Sequence, residues 1–443
     1  MMKFIETIKN IWKIQELRSR IIFTLGLILI YRLGSFVVIP GIDPASLDNL
    51  AKQSNEGLLG LINMFSGGAF ANASVFALGI MPYISSSIVI QLLGMAIPYF
   101  QKLQREGESG RKKITQITRV LTIFITAAQA PAYLKNLEYQ IPGAHFDPMF
   151  WISSIIIMVA GTMFVMWLGE RITDKGVGNG ISLIIMIGII ARFPSALFQE
   201  FGTRIEGAGG LIVFLIEIVM LLVIITLAIL LVQGTRRIPV QYAKRVVGNK
   251  QYGGVRQYLP IKVNGAGVMP IIFAQALMFI PLTFAGFSAS DSASSFLTAF
   301  ADHTNLWYNI VYAILIILFT YFYTAITMNP QQISEELKRN GGFIPGVKPG
   351  KKTADFIDEV ISRITLPGSI FLAIVAILPA FASLAHVSNQ FSYFYGGTSL
   401  LIIVGVILDT LQQIESYLLN RHYDGLMKTG RIKGRSGVGT SMI

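Results

Sequence analysis

Gly60-Leu61-Ile62-Asn63-Met64-Phe65-Ser66-Gly67-Gly68 opens the stretch that decides the fold, and the stretch runs on to Arg119. Its first part reads as a half-helix over 60–65, stopped by Ser66-Gly67-Gly68. That is too short to cross a bilayer, which takes roughly 20 apolar residues. A full-length apolar run follows, 73–95, carrying Pro82 and the triplet Ser85, Ser86 and Ser87. A charged block, 101–113, closes it. Backbone that stops and restarts at membrane depth is tolerated only where protein buries it or where it lines an aqueous cavity. The stretch therefore predicts a pore or a binding cavity rather than a plain anchor.

The rest of the chain agrees with a membrane setting. Of 443 residues, 53% are hydrophobic and 14% charged, against about 25% charged in soluble domains. Mean hydropathy is +0.60. With no cysteine there are no disulfides or thiolate ligands. His145, His303, His386 and His422 all lie outside the apolar runs, which argues against an intramembrane zinc site or a Ser-His hydrolase. Neither metal nor cofactor is expected.

Ten spans are predicted, near 21–38, 73–95, 117–134, 149–168, 181–197, 211–232, 266–287, 306–328, 364–384 and 399–418. The fifth is the weakest, since its clean apolar run stops at Ala191, before Arg192 and Pro194. Residues 1–20 space Phe4, Ile8 and Ile11 between basic residues, the pattern of an amphipathic surface helix. Of the 36 Lys and Arg residues, 31 fall in the N-terminal segment, the tail 421–443 and every second loop. By the positive-inside rule both termini are cytoplasmic.

Five spans per half means that the second half enters the membrane from the opposite side. Residues 21–200 and 201–420 can then form an inverted repeat with function at their interface. The second span pairs with the seventh, which is also interrupted, by Gly265, Gly267, Pro270 and Pro281. Two cytoplasmic loops are long. Residues 233–264 suit a β-hairpin around Gly248 or Gly253-Gly254, and 329–363 contains a predicted helix over 331–338. Such loops are suited to docking a large partner.

Within the spans, Ile80 and Ile84, and Ile181 and Ile185, are i,i+4 pairs on single helix faces. Ile272 and Ile402 lie early in the seventh and tenth spans. By hydropathy alone such residues equally face lipid or pack helices; only the pairing of interrupted spans singles them out. The serines, Gln91, Gln129, Asn264 and Gln275 form a polar seam or ordinary interhelical glue. Glu217 and Asp409 are intramembrane acids, which fit a proton relay in a secondary transporter or structural, hydrogen-bonded carboxyls. Residues 107–113 lack the spacing of a phosphate loop, so any energy source is external. Arg237, Arg245 and Lys250 form a basic patch on a long loop, able to attract RNA phosphates or an acidic protein face.

Six motifs, in order, carry a family resemblance. They are Asn63-Met64-Phe65-Ser66-Gly67-Gly68-Ala69, Phe76-Ala77-Leu78-Gly79-Ile80-Met81-Pro82-Tyr83-Ile84-Ser85, Glu106-Gly107-Glu108-Ser109-Gly110-Arg111, Gly178-Asn179-Gly180-Ile181-Ser182, Tyr242-Ala243-Lys244-Arg245 and Tyr395-Gly396-Gly397-Thr398-Ser399-Leu400-Leu401-Ile402. Over nearly its full length the chain resembles the SecY family of bacterial protein-conducting channels. The resemblance implies an all-α, non-enzymatic channel: an hourglass between two five-helix halves, in the bacterial inner membrane. Unfolded secretory polypeptides would cross it, and transmembrane segments would leave it sideways into lipid. It implies a waist of Ile80, Ile84, Ile181, Ile185, Ile272 and Ile402, and a plug around Asn63, Met64, Phe65, Ser66, Gly67 and Gly68, within about 60–70. It implies a lateral gate with Ser85, Gln129 and Asn264, and docking of the ribosome and the SecA ATPase through Arg237, Arg245, Lys250 and Lys348. SecE and SecG would be membrane partners, and signal sequences the ligands of the gate.

Physically these parts fit the task. An apolar ring dewets and blocks ions without binding a passing peptide. Ile181 reaches the waist only if the Gly176–Gly180 loop dips into the funnel. Three features depart from the family pattern. Lys348 replaces an arginine and loses its bidentate fork, Asn249-Lys250 replaces a more basic pair, and Glu217 is not a family hallmark.

Overall fold

The computed structural model describes residue 12 and residues 14–429, apart from 44–46, 48–59, 61–62, 142–145, 208–209, 243–244, 248–249, 253–255 and 286–304. Among the described residues, ten long helices correspond to the ten predicted spans. They are α1 (Gln15–Gly34), α2 (Met81–Ala96), α4 (Glu108–Gln140), α5 (Pro148–Lys175) and α6 (Gly180–Glu206) in the first half. In the second they are α7 (Gly210–Gln233), α8 (Met269–Ala285), α9 (Leu306–Thr327), α11 (Lys351–Leu384) and α13 (Gly397–Thr429). Among the described residues, seven of these are long and apolar enough to cross a bilayer unaided, or eight if the bent pair of α2 and α3 counts as one span. Short helices α3 (Pro98–Arg105), α10 (Pro330–Arg339) and α12 (Asn389–Ser392) connect them. The surface helix expected over 1–20 falls mostly outside the described residues, and Gln15 onwards already belongs to α1.

The two halves repeat one packing scheme. In the first, α2 packs on α4, α4 on α5, α5 on α6, and α1 lies against α5 and α6. In the second, α8 packs on α9, α9 on α11, α11 on α13, and α7 lies against α11 and α13. This is the inverted repeat expected from five spans per half. The halves are joined through α6, which packs against α7, α12 and α13.

The second span is not helical from residue 73. The helix begins only at Met81, and 66–79 are turns, with Ala73 at φ 44° and Gly79 at φ 55°. The cause is non-local. The amide of Ile39 bonds the Ala73 carbonyl at 2.9 Å, and the Val75 amide bonds the Val37 carbonyl at 2.9 Å. The chain after α1 thus satisfies backbone that the membrane cannot hydrate. At the other end Ile97 is extended before Pro98, which disfavours helix at the preceding residue, and the span turns aside into α3. The fifth span runs past Arg192 and Pro194 to Glu206, because Ala196, Glu200 and Arg204 are all buried against the second half.

The two long loops form one module. Strand β1 (Thr235–Tyr242) pairs antiparallel with β4 (Arg256–Lys262) and with β5 (Gly342–Phe343), in the order β4-β1-β5. Strands β2 (Arg245–Val247) and β3 (Lys250–Tyr252) pair on either side of positions 248–249, which agrees with the hairpin expected around Gly248. Ile238 and Val240 of β1 alternate inward onto Leu337 of α10 and onto Ile357 and Ile361 of α11. The ninth span begins well before residue 364, since Ala354, Ile357 and Ile361 give the stretch from Lys351 its own buried helical face. This strand end of the bundle lies opposite the far end, where α6 meets α7.

Candidate pore, plug and gate

All six predicted isoleucines lie on one apolar core. Ile80, Ile185 and Ile402 are buried within it, and Ile84, Ile181 and Ile272 pack half-buried against it. Ile80 caps the start of α2, directly after the left-handed Gly79, and its carbonyl accepts from the Ile84 amide at 3.1 Å. Ile181 lies in the first turn of α6, whose N-cap Asn179 accepts from the amides of Ile181 (3.1 Å) and Ser182 (3.3 Å). The loop before it is buried in the bundle as the sequence requires. The Val177 amide bonds Thr24 Oγ1 of α1 at 3.1 Å, Gly178 bonds Gln413 Oε1 of α13 at 3.0 Å, and Gly180 bonds Thr173 Oγ1 of α5 at 2.9 Å. These contacts carry the start of α6 inward.

Beside Ile181, at the strand end, opens a polar cavity of about 440 Å³ lined by Asn179, Ser182, Asp409, Thr410, Gln413 and Ser416, among others. On the other side of the isoleucines sits the predicted plug. Asn63, Met64, Phe65, Ser66 and Gly67 are buried and Gly68 is half-buried. Asn63 closes the turn by accepting from Ala71 at 3.1 Å through Oδ1 and from Gly68 at 2.8 Å through its carbonyl. The Cβ of Ser66 lies 3.5 Å from where a Cβ on Gly79 would stand, so the plug rests on the residue preceding Ile80. Gly67 meets Gly188 of α6 backbone to backbone: a Cβ on Gly67 would lie 2.9 Å from the Gly188 Cα. A side chain on either would push the plug off α6. Across a void of about 20 Å³, Met64 faces Tyr393 and Phe394 of the second half.

The predicted gate residues are less engaged. Ser85 is half-buried and donates to the Met81 carbonyl of its own helix at 3.2 Å. Ser86 does the same to Pro82 at 2.8 Å, and Gln91 bonds Ser87 at 3.3 Å. Gln129 is half-buried on α4. Asn264 is buried, and its Oδ1 receives no hydrogen bond among the described residues. Gln275 accepts from Thr398, which Tyr312 also meets at 3.2 Å, so it ties α8 to α9 and α13 within the second half. Ser85 and Ser86 thus bond back along their own helix, and among the described residues no hydrogen bond joins the polar side chains of α2 to those of α8.

Arg237 is exposed on β1 opposite Pro260. Arg245 is paired in register with Tyr252, and Lys250 with Val247, in the β2–β3 ladder. Lys348 is exposed on a rigid turn: its carbonyl accepts from Thr353 Oγ1 at 2.9 Å, and Ser334 Oγ fixes the Gly350 carbonyl at 2.8 Å. Of the two acids, Asp409 lines the polar cavity, whereas Glu217 is bound to Arg204 at the far end.

Sequence reading missed the cavity and the residues that hold the plug. The cavity carried a signal, polar side chains at 409, 413 and 416 on one face of α13.

The SecY family model matches residues 74–411. The protein translocase subunit SecY of Streptomyces scabiei is 45% identical over 433 residues, covering 94% of this chain and 98% of that protein. Two solved structures share the fold. One is described as showing that the plug domain of the SecY protein stabilises the closed state of the translocation channel and maintains a membrane seal. It has a TM-score of 0.63 at 16% identity and covers 93% of this chain and 94% of its own. The other, Sec61 in the canine ribosome-channel complex from the endoplasmic reticulum, has a TM-score of 0.55 at 16% identity and covers 93% and 94%. Identity at this level over almost the whole of both chains settles descent, and the chain belongs to the SecY family.

Proposed function

We propose that the chain is the pore subunit of a protein translocase, passing unfolded secretory polypeptides across the membrane and releasing transmembrane segments sideways into lipid. One arrangement carries this reading: isoleucines from both halves lie between a polar cavity on one side and a buried plug on the other. An apolar constriction holds back water and ions yet offers a sliding peptide no hydrogen bond to break. Ile80, Ile84, Ile181, Ile185, Ile272 and Ile402 are its ring, and residues 63–68 its plug. The seam between α2–α4 and α8–α9 is the lateral exit, with Ser85, Gln129 and Asn264 on it. Few bonds need breaking to part a seam whose serines bond within their own helix.

The strand module is the docking face for a cytoplasmic motor or a ribosome, with Arg237, Arg245, Lys250 and Lys348 as contacts. The SecA ATPase, SecE and SecG are the expected partners, and the inner membrane the expected site, with both termini cytoplasmic. The halves 21–200 and 201–420 move as the two jaws. The transporter alternative finds no support. Glu217 is paired with Arg204, and Asp409 opens on the cavity at the opposite end of the bundle. The test is to stall a secretory chain in transit and crosslink it to cysteines placed at Ile80 and Ile402. Crosslinks to both are expected, and crosslinks to neither overturn the reading.

A further inference from the structure

The plug is held by two consecutive residues of α1. Tyr31 is 1% exposed and its ring is stacked on Phe76, with centroids 6.2 Å apart. Its hydroxyl donates to the Ser66 carbonyl at 3.1 Å. Next to it, in the last turn of α1, Arg32 lies over the Phe36 ring and donates from Nη1 to the Gly67 carbonyl at 2.8 Å. These two carbonyls follow directly on the short plug helix that ends at Phe65, where helix carbonyls lose their partners within the chain. Arg32 lies in a membrane-crossing helix, where a guanidinium is costly and marks a function. We infer that Tyr31 and Arg32 are the latch of the closed channel, two positioning residues that hold the plug over the isoleucines by its terminal carbonyls.

The chemistry suits a latch that must release. A guanidinium bonded to a neutral carbonyl is stronger than a neutral pair. It has no fixed counter-charge on the plug to tear away, and it regains water once the plug leaves. On the α6 side the plug meets Gly188 through its backbone at Phe65 and Gly67, while α1 supplies two directional bonds to its carbonyls. Tyr31 adds a second bond whose geometry the Phe76 stack fixes.

This inference rests on the plug reading above, and the experiment separates the two. The natural chain has no cysteine, so Met64→Cys gives a single buried thiol on the plug. Leu183→Cys, in a separate protein, gives a buried control thiol on α6. Both are reconstituted in lipid vesicles with their membrane partners, and maleimide labelling and resting ion conductance are measured. Adding Arg32→Gln is expected to raise labelling at Met64→Cys roughly ten- to a hundredfold, the loss of one charged hydrogen bond. Tyr31→Phe is expected to raise it about two- to tenfold. Labelling of Leu183→Cys stays unchanged and conductance rises in step. Tyr31→Phe keeps the ring on Phe76, so it tests the latch even if Arg32→Gln fails to accumulate. Unchanged labelling of Met64→Cys in Tyr31→Phe and Arg32→Gln overturns the latch, as does an equal rise at Leu183→Cys. Deleting residues 63–70 is the separate arm: if that deletion leaves conductance at rest, the plug reading itself fails.

Discussion

Arg204 of α6 donates to Glu217 of α7 at 2.5 Å, and this ion pair joins the two halves at the far end of the bundle. The same guanidinium bonds Glu200 at 2.9 Å and the His386 carbonyl at 2.8 Å. Glu200 in turn accepts from the Ser388 amide at 2.9 Å, and the Tyr395 hydroxyl donates to the Glu217 carbonyl at 2.8 Å. His386 sits at φ +63°, so the knot also holds a residue in an uncommon conformation. With α6 packed against α7, α12 and α13, the knot ties the two halves together at this end.

Removing one member of a buried charge cluster strands the others. Arg204→Met is expected to destabilise the folded protein by about 3–5 kcal/mol. Glu217→Gln keeps a hydrogen-bond acceptor for Arg204 and costs less. Thermal unfolding of the purified complex measures both. Glu217→Gln with Asp409→Asn should leave translocation intact wherever folded protein accumulates. A proton-coupled mechanism predicts total loss in that double variant.

Orientation has a direct check. Lys338, on α10 beside the sheet, and Gln199, near the knot, are both exposed. In the cysteine-free chain, a membrane-impermeant thiol reagent should reach Lys338→Cys only from the cytoplasmic side and Gln199→Cys only from outside. Outside labelling at Lys338→Cys would remove the docking face along with the topology.

Hydropathy, charge and an odd number of spans per half made the fold legible, since each depends on sequence-local pattern. Residues 73–80 were misread as helix because they are as apolar as any span; what unwinds them is pairing with Val37 and Ile39, distant in sequence. The fifth span is predicted to end near 197 rather than at Glu206, because the partners of Glu200 and Arg204 lie on α7 and beyond His386. The joining of the two long loops by Gln241↔Phe343 likewise leaves no local trace. Among the proposed site residues, the isoleucine pairs and the glycines at 67 and 68 are visible as spacing and motif. Arg32 carries no local signal of its role, because only the folded chain brings Gly67 to it.

Docking is predicted to depend on charge more than on shape. Arg237 and Lys348 are exposed, Lys250 borders the tip of the β2–β3 pair, and Arg245 begins β2 at its other end. Reversing all four to glutamate should abolish motor binding and translocation while leaving the amount of membrane-inserted protein unchanged. Single reversals should weaken binding in a salt-dependent way, since exposed charges are screened over about 8–10 Å at ordinary ionic strength. Unimpaired binding in the fourfold variant would rule this face out.

The seal proposed for the isoleucines asks for apolar bulk and for nothing else from its side chains. Leucine or valine at Ile80, Ile84, Ile185, Ile272 or Ile402 should leave resting conductance and translocation nearly unchanged, because conservative apolar swaps cost under about 1.5 kcal/mol. Serine at three or more of them should admit water, since a hydroxyl gives a donor and acceptor to a constriction that excluded both. Conductance should then rise most where the plug has also been deleted, because ring and plug block the same path in series. Ile181 is the exception to test separately. It packs on Gly169 of α5, whose Cβ position lies 2.9 Å from the Ile181 side chain. Ile181→Ser should therefore loosen the α5–α6 contact, lowering thermal stability, and raise conductance less than Ile185→Ser does. Planar-bilayer recording of the single variants separates the two effects. A polar ring that stays ion-tight with the plug removed would show that these isoleucines are core packing and that the barrier lies elsewhere.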